Sequence, residues 1–170
     1  RFGVTMLLIG IAIGFTLISL TGLDILWVGM VGALLTVGYS WLKYHALGDL
    51  DIFLTFGLLP VVGTSIVVAG QVCLPALLLA LPVGLITVGV LHVNNSRDAV
   101  TDKNAGIKTF AMLIGGKWAV RVYQLELLLP FVLVALMVAL GVMPAFSLLC
   151  FVVFPRAYKM CRRMSLLLTD

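Results

Sequence analysis

Charge is what this sequence has least of. Eleven Lys or Arg and seven Asp or Glu occur in 170 residues, 11% of the chain, whereas a soluble domain carries about a quarter. That shortage excludes a water-soluble globular fold and leaves a bilayer as the natural solvent. No nucleic-acid partner is expected. Cysteine is scarce too. Cys73, Cys150 and Cys161 stand singly, with no CxxC pair, which excludes a metal-ligand spacing and leaves them as reduced apolar packing residues. The two histidines, His45 and His92, lie near different helix ends and make no zinc motif. No internal repeat, low-complexity tract or Gly/Ser linker divides the chain, so residues 1–170 read as one membrane domain.

What remains is apolar: 62% of the residues are hydrophobic and the mean hydropathy is +1.22. A spanning helix needs roughly 20 mostly apolar residues. Six stretches qualify, at about 2–20, 24–42, 50–69, 73–95, 117–140 and 143–160. The expected fold is an all-α polytopic bundle of about six transmembrane helices. With six alternating spans, Arg1, Lys43, Arg97, Lys103, Lys108, Lys117, Arg121, Arg156, Lys159, Arg162 and Arg163 all fall on one side. The opposite turns carry only Asp24. Excess Lys and Arg mark the cytoplasmic face. Asp49, Asp51, Asp98 and Asp102 lie on that same face, so its mouth is polar in both signs.

The most polar stretch is His92-Val-Asn-Asn-Ser-Arg-Asp-Ala-Val-Thr-Asp-Lys-Asn-Ala-Gly-Ile-Lys-Thr109. On a helix continuing out of the fourth span, Asn94, Asp98 and Asp102 stand at i, i+4 and i+8, in one row. An amide and two carboxylates suit a hard divalent ion, and Mg²⁺ characteristically pairs one or two carboxylates with substrate phosphates. Arg97, Lys103, Lys108 and Lys43 surround the row with cations for phosphate oxygens. Gly106 is expected to end the helix. A diphosphate head at this mouth and an oily tail among the spans describe a polyprenyl diphosphate.

Asn94-Asn95-Ser-Arg97-Asp98-Ala-Val-Thr-Asp102-Lys-Asn-Ala-Gly106-Ile-Lys-Thr109, followed by Leu113-Ile-Gly115, resembles the second aspartate motif of the UbiA superfamily of intramembrane prenyltransferases. Lys43-Tyr44-His-Ala46-Leu47-Gly48-Asp49-Leu50, then Thr55-Phe56-Gly57, resembles a second family segment, and the likeness runs in order over about residues 25–160. It is nearest to the branch that prenylates 1,4-dihydroxy-2-naphthoate in menaquinone (vitamin K₂) synthesis, the animal enzyme of that branch included. The resemblance implies nine helices around a cavity, of which this chain matches about the third to the eighth. The family's first aspartate motif is not found. The chain opens on Arg1, not Met, so it is expected to be part of a longer protein, and without the first aspartate motif these residues are expected to be inactive by themselves.

The resemblance also implies roles. Asp98 and Asp102, with Asn94, would hold Mg²⁺. Lys43 would act with the two aspartates in catalysis and bind diphosphate, joined there by Asn95, Arg97 and Lys108. Asp49, ahead of Asp51, would face the aromatic acceptor. The implied reaction transfers a polyprenyl group from polyprenyl diphosphate to 1,4-dihydroxy-2-naphthoate, with loss of carbon dioxide and diphosphate, in a bacterial cytoplasmic membrane with the site on its inner side. The alternatives are a family member with another aromatic acceptor, of the 4-hydroxybenzoate or homogentisate class, and, outside the family, a polytopic transporter. Transport fits less well, because it uses charges in mid-span and these spans are nearly uncharged. A lipid-binding scaffold gives the aspartate row no purpose. Glu126, two turns into the fifth span, is either a functional intramembrane acid or an interfacial partner of Arg121. Pro60, Pro82 and Pro130 are expected to bend their spans, and Trp27, Trp41 and Trp118 to anchor at the interface.

Overall fold

In a bilayer every backbone N–H and C=O must find its partner within the protein, and helices achieve this within one segment. The computed structural model describes residues 2–167, and no strand occurs among them. Five helical stretches are long and apolar enough to cross a membrane: Phe2–Thr21, Leu23–Tyr44, Gly48–Ala69, Leu74–Arg97 and Gly116–Ala139. The first is α1. The second is a 3₁₀ turn, Leu23–Ile25, leading into α2, Leu26–Tyr44. The third comprises α3, Gly48–Ile52, a π segment, Phe53–Leu58, and α4, Leu59–Ala69. The fourth is α5. Two short helices follow, α6 at Ala99–Asn104 and α7 at Phe110–Ile114, before the fifth span, α8. The chain is an all-α polytopic membrane bundle.

The sixth expected span takes another form. Ala145–Val153 is a 3₁₀ helix, and it runs into α9, Phe154–Leu167. Exposed Arg156, Lys159, Arg162 and Arg163 make α9 amphipathic rather than uniformly apolar, while Cys161 and Met164 are buried. Phe131 of α8 holds the junction: its ring lies edge-on to Phe151 and Phe154, with centroids at 5.4 and 5.2 Å. Gln124 of α8 donates to Ser165 Oγ at 3.1 Å.

The bundle is built around α5, with α8 on one flank and the π segment on another. Lipid tails are as apolar as leucine, so helices in membranes associate through close packing at small residues. Gly57 of the π segment meets Gly84 of α5 so closely that a Cβ on Gly57 would lie 2.6 Å from the Gly84 Cα. A Cβ on Gly84 would lie 2.6 Å from the Phe53 ring. Leu59 N–H reaches back five residues to the Leu54 carbonyl, the widened turn that defines a π segment. Pro60 sits just after it, at the start of α4, rather than in mid-helix; α5 and α8 continue through Pro82 and Pro130. Neither α1 nor α2 has a buried residue, so their apolar faces look outward. Trp27, Trp41 and Trp118 are exposed.

The turn between α2 and α3 closes tightly. Ala46 N–H donates to the Lys43 carbonyl at 3.4 Å and Leu47 N–H to the Leu42 carbonyl at 2.9 Å, the paired bonds of a Schellman cap. The left-handed residue in this cap is usually glycine, but here it is Ala46, at φ 61°.

Gly84→Val places branched carbon where the π segment touches α5. It is expected to cost about 1–3 kcal/mol, seen as a lower melting temperature in detergent; unchanged melting would refute the tight contact. Ala46→Gly removes a left-handed strain of roughly 1–2 kcal/mol, partly offset by the flexibility glycine gives the unfolded chain. A gain of about 1 kcal/mol is expected in the same measurement, and a loss would contradict the backbone geometry.

Candidate functional site

The polar stretch forms at the end of α5. Regular helix breaks at Asp98, with φ −90° and ψ 8°, yet the stacking continues through the break. Asp98 N–H donates to the Asn94 carbonyl at 2.9 Å, and Asp102 N–H to the Asp98 carbonyl at 2.8 Å. Asn94, Asp98 and Asp102 therefore remain one turn apart. Gly106, at φ +74°, ends α6 as expected: its N–H donates to the Lys103 carbonyl and Ile107 N–H to the Asp102 carbonyl. Asn94 is exposed and the two aspartates are partly so.

Arg97 folds back on Asp98. Its Nε donates to Oδ1 at 2.8 Å and its Nη2 to Oδ2 at 2.9 Å. That fork holds the Asp98 carboxyl below its ordinary value, and the charge of Lys43 acts in the same direction. Lys43 belongs to the last turn of α2, and the tight turn beyond it brings Gly48 back against its backbone; a Cβ there would lie 3.7 Å from the Lys43 Cα. Lys43, Arg97 and Asp98 thus share one electrostatic neighbourhood. Lys103 and Lys108 line a separate hollow of about 800 Å³ between α6, α7 and α8, walled by Ala111 and Ala119; neither aspartate nor Lys43 lines it. The reason is helical: each residue turns the chain by about 100°, so Lys103 leaves the face that Asp102 occupies.

Asn95 points the other way from its neighbour. Rather than joining Asn94, Arg97 and Asp98 at the accessible face, it is buried, and its amide donates to Asp49 Oδ1 at 3.2 Å. Asp49 is buried as well, at the wall of a smaller hollow of about 300 Å³ lined by Leu50, Phe53, Val88 and Phe110. His92 is wholly buried. Its Nδ1 lies 3.3 Å from Asp49 Oδ2 and 3.4 Å from Glu126 Oε1, and its ring meets Phe110 edge-on at 6.2 Å. Glu126 does not pair with Arg121, whose guanidinium lies 4.8 Å over the Trp118 ring. Asp51 is 3% exposed, with Oδ1 unpartnered. The Asp49–His92–Glu126 group was not foreseen from the sequence. The one available signal was an acid two turns inside a span; nothing local links it to a histidine one span away.

Comparison with known proteins gives the frame. The profile described as "UbiA prenyltransferase family" matches residues 1–166. UbiA prenyltransferase domain-containing protein 1 of Mus musculus is 37% identical over 139 residues, 78% of this chain and 41% of the relative. The Homo sapiens protein of that name is 36% identical over 143 residues, 81% of this chain and 42% of the relative. The Drosophila melanogaster homolog is 37% identical over 103 residues, 61% of this chain and 29% of its own length. The chain spans less than half the length of these curated relatives. They correct two expectations. The relatives are animal proteins named only as prenyltransferase domain proteins, so neither the dihydroxynaphthoate reaction of menaquinone synthesis nor a bacterial inner membrane stands. The expected roles of the motif residues concern the diphosphate and do not specify the acceptor. Matched along nearly its whole length, the chain belongs to the UbiA prenyltransferase family.

Proposed function

We propose that these residues form the diphosphate-handling part of a Mg²⁺-dependent prenyltransferase that moves a polyprenyl group from its diphosphate to an aromatic acceptor. The observation that carries this reading is the stack of Asn94, Asp98 and Asp102, one turn apart at the end of a membrane span, within reach of the Arg97 and Lys43 charges. Two carboxylates and an amide, all accessible to water, fit Mg²⁺, which favours oxygen donors and keeps part of its hydration shell. Held there, the ion would neutralise charge on the departing diphosphate.

The remaining work falls to the chain's own side chains. Lys43 and Arg97 donate to phosphate oxygens, with Lys108 at the neighbouring hollow as a further cation. Arg97 has a specific part. Its fork already binds a carboxylate, and a phosphate competing for it releases both Asp98 oxygens for the cation. Substrate arrival and metal binding are thereby coupled through one guanidinium. The prenyl tail lies among the apolar spans.

In the full-length protein, Asp98→Ala and Asp102→Ala are each expected to lower Mg²⁺-dependent prenyl transfer by about two orders of magnitude or more, with membrane insertion unchanged. The assay is label passing from polyprenyl diphosphate to a panel of hydroxylated aromatic acceptors; near-wild-type turnover in either variant would refute the role.

Arg97→Gln is expected to return the Asp98 carboxyl toward its ordinary value of about 3.9, followed by NMR titration of labelled aspartate. The sign follows from linkage. A carboxyl depressed in the folded state contributes stability above the ordinary carboxylate range and loses it as pH falls through its lowered value. The Arg97 variant should lack that acid-sensitive contribution, and an unmoved titration would show that Arg97 does not hold Asp98.

A further inference from the structure

The geometry points to a second cation site: we propose that Asp49, His92 and Glu126 bind one divalent transition-metal ion of the Zn²⁺ class inside the bundle. This site is separate from the exposed aspartate row and does not depend on the prenyl-transfer reading.

The three side chains come from three different helices, α3, α5 and α8. His92 is 0% exposed, Glu126 6% and Asp49 8%. Two carboxylates held largely out of water cost several kcal/mol each unless compensated. Direct contacts supply the compensation only in part. One ring nitrogen, His92 Nδ1, is shared between Asp49 Oδ2 and Glu126 Oε1, while Glu126 Oε2 and His92 Nε2 have no hydrogen-bond partner. Charge does balance around a dication: two carboxylates and a neutral imidazole leave a net charge of zero.

Spacing agrees with charge. The His92 Nδ1 stands 3.3 Å from one carboxylate oxygen and 3.4 Å from the other. A four-coordinate ion with bonds of about 2.0–2.1 Å separates its ligands by roughly the same distance. One donor atom from each of the three residues lies within 4.8 Å of the others. The surroundings supply support. Asn95 fixes the second Asp49 oxygen at 3.2 Å, the kind of outer hydrogen bond that orients a metal-binding carboxylate. One of the three ligands, Asp49, borders a hollow of about 300 Å³. One imidazole nitrogen with two carboxylates favours a borderline ion over Mg²⁺, which prefers oxygen alone.

The test uses the protein purified in detergent, loaded with Zn²⁺ in excess Mg²⁺, desalted and measured for metal. One zinc per chain is expected. Glu126→Gln and His92→Gln should each abolish retention, Asn95→Leu should weaken affinity about tenfold or more, and Asp98→Asn should leave it unchanged. A wild-type protein that retains no stoichiometric zinc overturns the proposal, leaving an imidazolium shared between two carboxylates. Undiminished retention in Glu126→Gln and His92→Gln overturns it equally. Should those variants lose their helical circular dichroism, X-ray absorption on the wild-type zinc form decides. One imidazole among oxygen donors supports the site; a sulfur-containing or all-oxygen shell overturns it.

Discussion

The contact between Gly57 and Gly84 is the constraint on which the rest of the polar architecture depends. It lets the π segment press its backbone against α5. Because α3 feeds directly into that segment, Asp49 is carried alongside His92 and Asn95. The tight turn before α3 then delivers Lys43 to the electrostatic neighbourhood of Asp98. Residues about fifty positions apart in sequence meet because two positions lack a side chain. In lipid such contacts carry more of the assembly than in water, since burying apolar surface gives little drive between helices.

Around α5 the polar groups divide into an outer and an inner set. Asn94, Arg97 and Asp98 belong to the outer set and are accessible; His92, Asn95 and Ser96 belong to the inner one and are buried. Asn94 and Asn95 are chemically identical neighbours with opposite surroundings, because one residue of helix rotates a side chain by about 100°. The outer set carries Arg97, forked onto Asp98 at an accessible face. The inner set is locked between helices, where an uncompensated charge is costly. One helix end therefore presents both a water-facing electrostatic surface and a buried one.

Much of this was legible in the residues. Runs of about twenty apolar residues announce spans, and the period of the helix announces the Asn94–Asp98–Asp102 row. The winding of the sixth stretch was not legible, because an apolar run states hydropathy but not winding, and Ala145–Val153 is wound as a 3₁₀ helix. Asn95 was grouped with its neighbour because a motif is linear, whereas burial is decided by what stands opposite, here Asp49. The pairing of His92 with Glu126 joins two spans, and no local pattern encodes which faces of those spans meet. The acceptor was not legible for a related reason: the motif residues carry an expectation about the diphosphate and none about the aromatic ring.

The winding of Ala145–Val153 has a directional consequence for α9. A 3₁₀ helix turns about 120° per residue and an α-helix about 100°. Over nine residues the difference accumulates to roughly half a revolution. The same residues wound throughout as α-helix would carry the opposite side of Phe154–Leu167 toward α8, presenting its arginines to the apolar interior and its Cys161 and Met164 to the outside. The tighter coil thus acts as a phase shifter, setting which way a cationic helix faces without any change in its own sequence.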